Sequence, residues 1–180
     1  MDPRSDAQLV AALNRGDADA FDVLYFRHRD WVVALAHRFT GSEDLALDVM
    51  QETFLYLLRK FPGFRLTANL KTFLYPAVKN LSIAARRKAA RVQSTEAEQE
   101  VIAQTPAPET LAIVNNDLAA ALANLSPDHR EVLLLRFVDD LPLAEIAEAV
   151  DAPLGTVKSR LHNALEALRQ NQRAREFFAG

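Results

Sequence analysis

A chain of 180 residues has room for one ordinary domain or two small ones, and 49% of it is apolar, enough for hydrophobic cores. There is no cysteine for a disulfide or thiolate metal site, no apolar run near the ~20 residues that cross a bilayer, and no signal core in Met1-Asp-Pro-Arg-Ser-Asp6, so the expectation is a cytoplasmic protein without membrane insertion. The formal net charge of −3 weighs against binding nucleic acid unaided, because phosphate neutralisation supplies most of that affinity.

Leu and Ala dominate, glycines number 5, and β-branched runs are absent, which predicts an all-α fold. Ser5-Asp-Ala-Gln8 fits a capping box that opens a short helix to about Asn14, broken by Gly16 and Asp17. A long helix is predicted from about Asp19 to Phe39, with Phe21, Leu24, Tyr25, Trp31, Val32, Leu35 and Phe39 at roughly helical spacing. Gly41 stops it, Ser42 is the next N-cap, and Glu43 and Asp44 suit a first turn.

The third predicted helix, about Glu43 to Lys60, has two faces. Leu45, Val49, Phe54, Leu57 and Leu58 can pack inward, while Asp44, Asp48, Gln51 and Glu52 form a mostly acidic patch. Phe61-Pro-Gly-Phe64 breaks this helix. A fourth is predicted from near Thr67 to about Arg91; it carries Phe73, Leu74, Val78, Leu81 and Ile83 and ends in Arg86, Arg87, Lys88 and Arg91. Pro76 lies inside it, and an interior proline predicts a kink or a restart.

Residues 92–108 change character: Gln93-Ser-Thr-Glu-Ala-Glu-Gln-Glu100 is polar and acidic, and Thr105-Pro-Ala-Pro108 resists helix. They read as an interdomain linker between a domain of residues 1–91 and one of 109–180. Beyond it, helices are predicted from Glu109 to Ala123 and, after the N-cap Ser126 and Pro127, to about Val138.

The stretch Leu141 to Leu161 then reads as two helices joined by a tight turn, the second running on to about Gln170. From Gly155, Val157, Leu161, Leu165 and Leu168 make one apolar stripe at spacings of four, four and three. The opposite surface presents Thr156, Lys158, Ser159, His162 and Asn163. Lys158 and Arg160 suit phosphates or guanine edges, Asn163 suits adenine, and the helix N-terminus with Thr156 suits a phosphate. Ile146, Ala147 and Val150 fit the packing of a helix-turn-helix.

Each feature has a plainer reading when taken singly. The helix pair could be a hairpin that packs in a core or binds a protein. The Arg86–Arg91 cluster could be a solvated last turn favoured by the helix dipole, and the acidic patch a wet surface. Phe61, Phe64, Phe73 and Tyr75 could stack unpaired bases or simply be core. An enzyme is not expected: the glycines form no phosphate-cradling loop, and His28, His37, His129 and His162 lack metal-ligand spacing, so neither cofactor nor metal is predicted.

The order of these features resembles the extracytoplasmic-function group of bacterial RNA polymerase sigma factors, within the sigma-70 class. Glu43-Asp-Leu-Ala-Leu-Asp-Val-Met-Gln-Glu-Thr-Phe54 resembles that family's core-binding segment. Phe64, Lys71-Thr-Phe-Leu-Tyr75 and Lys79-Asn-Leu81 resemble its stretch for promoter melting and −10 reading. Leu125-Ser-Pro-Asp-His-Arg-Glu-Val-Leu134 and Gly155-Thr-Val-Lys-Ser-Arg-Leu161 resemble its −35-reading domain.

The resemblance implies two helical domains borne by core RNA polymerase, region 2-like over 1–91 and region 4-like over 109–180. Asp44, Asp48, Gln51 and Glu52 would meet the polymerase. Phe64, Arg65, Lys71, Lys79, Asn80, Arg86 and Arg87 would hold the −10 strand, with the loop from Pro62 to Asn69 capturing the non-template strand. Thr156, Lys158, Ser159, Arg160, His162 and Asn163 would read the −35 element. The linker would resemble the family's strand-mimicking connector, and an anti-sigma protein is implied as a further partner. A polymerase subunit also answers the charge problem, since the enzyme supplies much of the DNA affinity.

The chain departs from the family pattern at Pro76, at Phe73 for a frequent Trp, at Asp151 where the turn commonly has Gly, and at Asn163 and Glu166, which are often basic. Asp tolerates the left-handed conformation, so the turn is expected to survive. Two other readings stand beside the sigma subunit: a stand-alone helix-turn-helix regulator acting as a dimer, and a helical protein-interaction module.

Overall fold

The computed structural model describes residues 2–93 and 116–170, and among them every regular element is a helix. The chain divides into two compact units, with the boundary between residues 105 and 106.

The first unit holds α1 (Asp6–Asn14), α2 (Asp19–Thr40), α3 (Glu43–Leu58) and α4 (Leu70–Gln93). The capping box is present: Ser5 Oγ accepts from the Gln8 N–H and Gln8 Oε1 accepts from the Ser5 N–H at 2.7 Å. Leu9, Val10 and Ala12 bury the inner face of α1. Its first residue, Asp6, ties it to α2. One carboxylate oxygen accepts from Arg27 at 2.6 Å and the other lies 2.8 Å from Nε2 of the buried His28. Burial opposes the Asp6 charge, but hydrogen bonds and charges from His28 and Arg27 outweigh it and hold the pKa below the ordinary 3.8.

Helices α2, α3 and α4 pack on one another. Leu24, Val32 and Leu35 of α2, Ala46, Val49 and Leu57 of α3, and Leu70, Leu74 and Val78 of α4 form a core at most 2% exposed. Gly41, at φ 67°, ends α2 in the left-handed region, and Ser42 caps α3 through the Leu45 N–H.

Three expectations change. Helix α3 ends at Leu58, and Leu58 faces solvent: with neighbouring Leu57 fully buried, one further step of about 100° carries Leu58 off the core side. Helix α4 starts at Leu70 rather than Thr67, because Asn69 supplies the cap by accepting from the Lys71 N–H at 3.0 Å. Of the kink or restart expected at Pro76, the restart does not occur: the helix is continuous through it, and the ring is exposed.

The second unit comprises α5 (Asn116–Ala123), α6 (Pro127–Phe137), α7 (Leu143–Ala149) and α8 (Leu154–Gln170). The expected linker beyond residue 93 and the first residues of the helix predicted from Glu109 lie outside the described residues. Ser126 caps α6 with Pro127 at its start.

Arg130, 5% exposed, fastens α6 to the end of α5. It donates to the carbonyls of Leu122 and Ala123 at 2.8 Å and of Leu125 at 3.0 Å, meeting acceptors that the end of a helix leaves open. Burial lowers its pKa, yet a guanidinium stays charged. Ala121, Leu122, Leu125, Leu133, Ala164 and Leu168 form the core, with Leu134, Leu161 and Leu165 packed against it.

A depressed carboxylate pKa contributes stability above its unfolded value that is lost as pH falls through the folded one. Asp6→Asn is therefore expected to destabilise the protein by about 1 kcal/mol at neutral pH, a half-buried charged pair being worth little more. The deficit should shrink as pH falls below the unfolded value near 3.8. Urea melts of both proteins across pH 3 to 7 check this, and a deficit constant over that range contradicts it.

Candidate nucleic-acid interface

The acidic residues Asp44, Asp48 and Glu52, with the neutral Gln51, are all exposed on one side of α3, while Val49, Phe54 and Leu57 hold the other side in the core. Leu47 and Leu55 stand on the same exposed side, at 41% and 45%. An open depression of about 560 Å³ adjoins it, lined among others by Tyr25, Val33, His37, Glu43, Leu47 and Met50. The sequence reading missed this apolar component. Its signal was available: Leu47 lies three residues after Asp44 and four before Gln51, on their helical face.

The loop leaving α3 is packed as an aromatic stack. Phe61 meets Phe64 at 5.5 Å between ring centroids, Phe64 meets Phe73 at 4.5 Å, and Phe73 stacks on Tyr56 at 5.9 Å. Phe64 is half-buried in this cluster, beside the exposed Arg65. Lys71 lies 5.5 Å over the ring of Trp31, a neighbour that spacing along the chain did not suggest.

Farther along α4, Asn80, Ile83, Ala84, Arg87, Lys88 and Arg91 line a shallow depression of about 330 Å³. Asn80 and Arg87 are thus brought together, with the half-buried Lys79 one residue before Asn80. Arg86 sits differently. It donates to the Phe39 carbonyl at 3.1 Å, near the end of α2, and burial lowers its pKa. Its guanidinium therefore joins two helices of the core, whereas Arg87 is exposed.

In the second unit, α7 and α8 meet through a turn in which Asp151 adopts φ 50°, the left-handed conformation expected of it. Asp140 does the same at φ 56° before α7, which the sequence reading did not anticipate. Val157 and Ala164 are fully buried, Leu168 nearly so, and Leu161 and Leu165 partly so. That leaves Lys158, Ser159, His162 and Asn163 exposed and Thr156 half-exposed. Ser159 Oγ donates to the Thr156 carbonyl at 2.9 Å.

Arg160 is held to α6 by an ion pair with Asp128, its side chain 27% exposed. Its partner is far off in sequence, so spacing along α8 did not reveal it. Among the described residues no group of His, Asp and Glu could hold a metal ion, and no helix is long and apolar enough to cross a membrane.

Comparisons with known proteins agree with this geometry. Sigma-70 region 2 matches residues 24–92 and Sigma-70 region 4 matches residues 121–170. The chain is 30% identical to the ECF RNA polymerase sigma factor SigW of Bacillus subtilis over 177 residues, covering 91% of this chain and 95% of that protein. It is 32% identical to the ECF RNA polymerase sigma-E factor of Escherichia coli K12, again over 177 residues, covering 91% and 92%.

Among solved structures, CnrH in complex with the cytosolic domain of CnrY shares the fold with a TM-score of 0.64 at 22% identity, over 90% of this chain and 93% of that one. RpoE of Bartonella quintana in complex with the anti-sigma factor NepR does so with a TM-score of 0.61 at 23% identity, over 88% and 96%. With two sigma-70 regions in order and curated relatives matched along nearly their full length, the chain belongs to the extracytoplasmic-function group of sigma-70 RNA polymerase sigma factors.

Proposed function

We propose that this sigma factor binds core RNA polymerase through the exposed side of α3 and directs promoter-specific initiation by holding two promoter elements. The observation that carries the reading is the outward polar face of α8. Lys158, Ser159, His162 and Asn163 face solvent on a helix whose other face, at Val157 and Ala164, is core.

In this reading Asp44, Asp48, Gln51 and Glu52 dock on a basic surface of the polymerase, with Leu47 and Leu55 adding apolar contact. A rim of charge around apolar residues favours both fast encounter and a held complex. The α8 face enters the −35 major groove: Lys158 and Thr156 meet phosphates, Ser159, His162 and Asn163 face base edges, and Arg160 joins by exchanging Asp128 for a phosphate. An exposed ion pair is worth about 0–1 kcal/mol, so that exchange is cheap.

At −10, the loop from Pro62 to Asn69 with Phe64, Arg65 and Lys71 receives the non-template strand, and Lys79, Asn80 and Arg87 guide its backbone. The place of Arg86 in the packing makes it a brace beneath that surface. Stacking of about 1–3 kcal/mol per base offsets the few kcal/mol of unstacking an unpaired base. The polymerase supplies further phosphate contacts, which reconciles promoter binding with a net charge of −3. The protein acts as an initiation factor and carries out no chemistry of its own, in the compartment of the polymerase. A stand-alone dimeric regulator is not favoured, because region 2 occupies the place where a dimer or ligand domain would be needed.

A second partner follows by analogy with the solved relatives in complex with CnrY and NepR: an anti-sigma protein that holds this one inactive. A pull-down from source cells is expected to recover both polymerase and a small inhibitor. Recovery of polymerase alone under every growth condition contradicts that partner.

Asp48→Arg combined with Glu52→Arg should weaken binding to core polymerase by about tenfold or more while leaving the melting curve unchanged, since both side chains are exposed. Unaltered affinity in a titration with core enzyme contradicts the docking face. Lys158→Ala should weaken promoter binding evenly across −35 sequences and flatten its salt dependence, whereas Asn163→Ala should relax preference at one or two base pairs by about 1–3 kcal/mol each. Promoter selection by holoenzyme from a randomised −35 library, with promoter affinity measured across salt, distinguishes these outcomes; an unchanged −35 preference for Asn163→Ala, or an unchanged affinity and salt slope for Lys158→Ala, contradicts the reading.

A further inference from the structure

Asn14, the last residue of α1, lies far in sequence from any surface discussed above, yet its side chain holds the loop that leaves α3. Its Nδ2 donates to the carbonyl of Phe64 at 2.7 Å, and its Oδ1 accepts from the N–H of Gly63 at 2.7 Å. A carboxamide offers one donor and one acceptor side by side, and here each meets the opposite group of consecutive residues. Only this orientation of the amide satisfies both bonds, since the flipped one sets donor against donor and acceptor against acceptor.

The loop has little else to hold its backbone. Gly63 has φ 101°, a left-handed conformation, and is exposed. Below, the rings of Phe61, Phe64 and Phe73 pack together, fixing side chains but no backbone polar group. Asn14 thus supplies the directional bonds that set where the Gly63 N–H and the Phe64 carbonyl point. Its own position is firm. Leu9 and Val10 bury α1 in the core, Asp6 pins the opposite end to Arg27 and His28, and Gly16 closes the turn by donating to the Leu13 carbonyl.

We propose that Asn14 is a positioning residue for −10 recognition: through Gly63 and Phe64 it holds the strand-receiving loop in one shape before DNA arrives, making α1 part of the promoter-opening apparatus. This rests on the reading of the Pro62–Asn69 loop as the −10 strand site. Pre-ordering the loop removes an ordering cost from strand capture, and a single loop shape discriminates among bases better than several. Asn14 touches no DNA in this scheme; by holding the Gly63 N–H and the Phe64 carbonyl it sets where the loop presents Phe64 and Arg65 to the strand.

The test compares holoenzymes carrying wild-type sigma, Asn14→Asp and Asn14→Leu. Asp keeps the size and the acceptor but turns a second oxygen toward the Phe64 carbonyl; Leu keeps the bulk and removes both bonds. Both should bind core polymerase and a −35 duplex as wild type does. Both should open the promoter about tenfold more slowly, and their preference for the native −10 bases over single substitutions should fall by about the same factor, Leu through loss of both hydrogen bonds and Asp through loss of one and the repulsion of two facing oxygens.

Phe64→Ala and Arg65→Ala serve as controls on the loop itself. If these controls shift −10 preference while both Asn14 variants open promoters and discriminate as wild type does, the role of Asn14 is overturned alone. If the controls leave −10 preference intact, the loop reading fails and the proposal falls with it. A purely structural part for Asn14 would lower the melting temperature and leave −10 discrimination unchanged, and that result also overturns the proposal.

Discussion

The burial of α2 against both α3 and α4 is the contact on which the first unit depends. Leu24, Val32 and Leu35 lie at its centre and are at most 1% exposed. Once those residues are withdrawn from water, at roughly 1.5–3 kcal/mol for each fully buried side chain, the rotation of α3 and α4 about their axes is settled. Val49 and Leu57 must face inward, so Asp44, Asp48 and Glu52 must face outward. The acidic face needs no interaction of its own to hold it; it is the remainder of a helix whose other side is committed.

The second unit obeys the same rule on a smaller scale. Its core rests on Leu122, Leu133, Ala164 and Leu168, and Arg130 closes the otherwise open end of α5 with three hydrogen bonds to carbonyls. Ala164 is informative. A fully buried alanine lets the outer helix lie close to the body of the unit while the α8 N-terminus, with Thr156 and Lys158, stays at the surface. A larger side chain there would push the helix outward and turn its polar face.

Charge is divided between surfaces rather than pooled. Acidic groups collect on α3 and basic groups late in α4, where Arg87, Lys88 and Arg91 line one depression. The formal total of −3 therefore says little about any one face. Salt screens exposed charges within about 10 Å at ordinary ionic strength, so each face acts nearly independently of the other. A subunit that meets a protein and a polyanion at once requires such a division.

The sequence alone determined the helical class, most helix ends, and the two faces of α3 and α8. These follow from local chemistry: a 3.6-residue period, capping residues such as Ser5, Ser42 and Ser126, and glycine where φ turns positive at Gly41. Its order of motifs was also enough to suggest the family. What only the tertiary structure decided were the pairings across sequence distance: Asn14 with Gly63 and Phe64, Asp6 with His28, Arg86 with Phe39, Lys71 with Trp31, and Arg160 with Asp128. Periodicity says which face a residue occupies, but not which partner lies opposite. That depends on how separate helices cross, and it is why Arg86 and Arg160, equivalent to their neighbours as cations along a helix, turn out to be engaged in the fold.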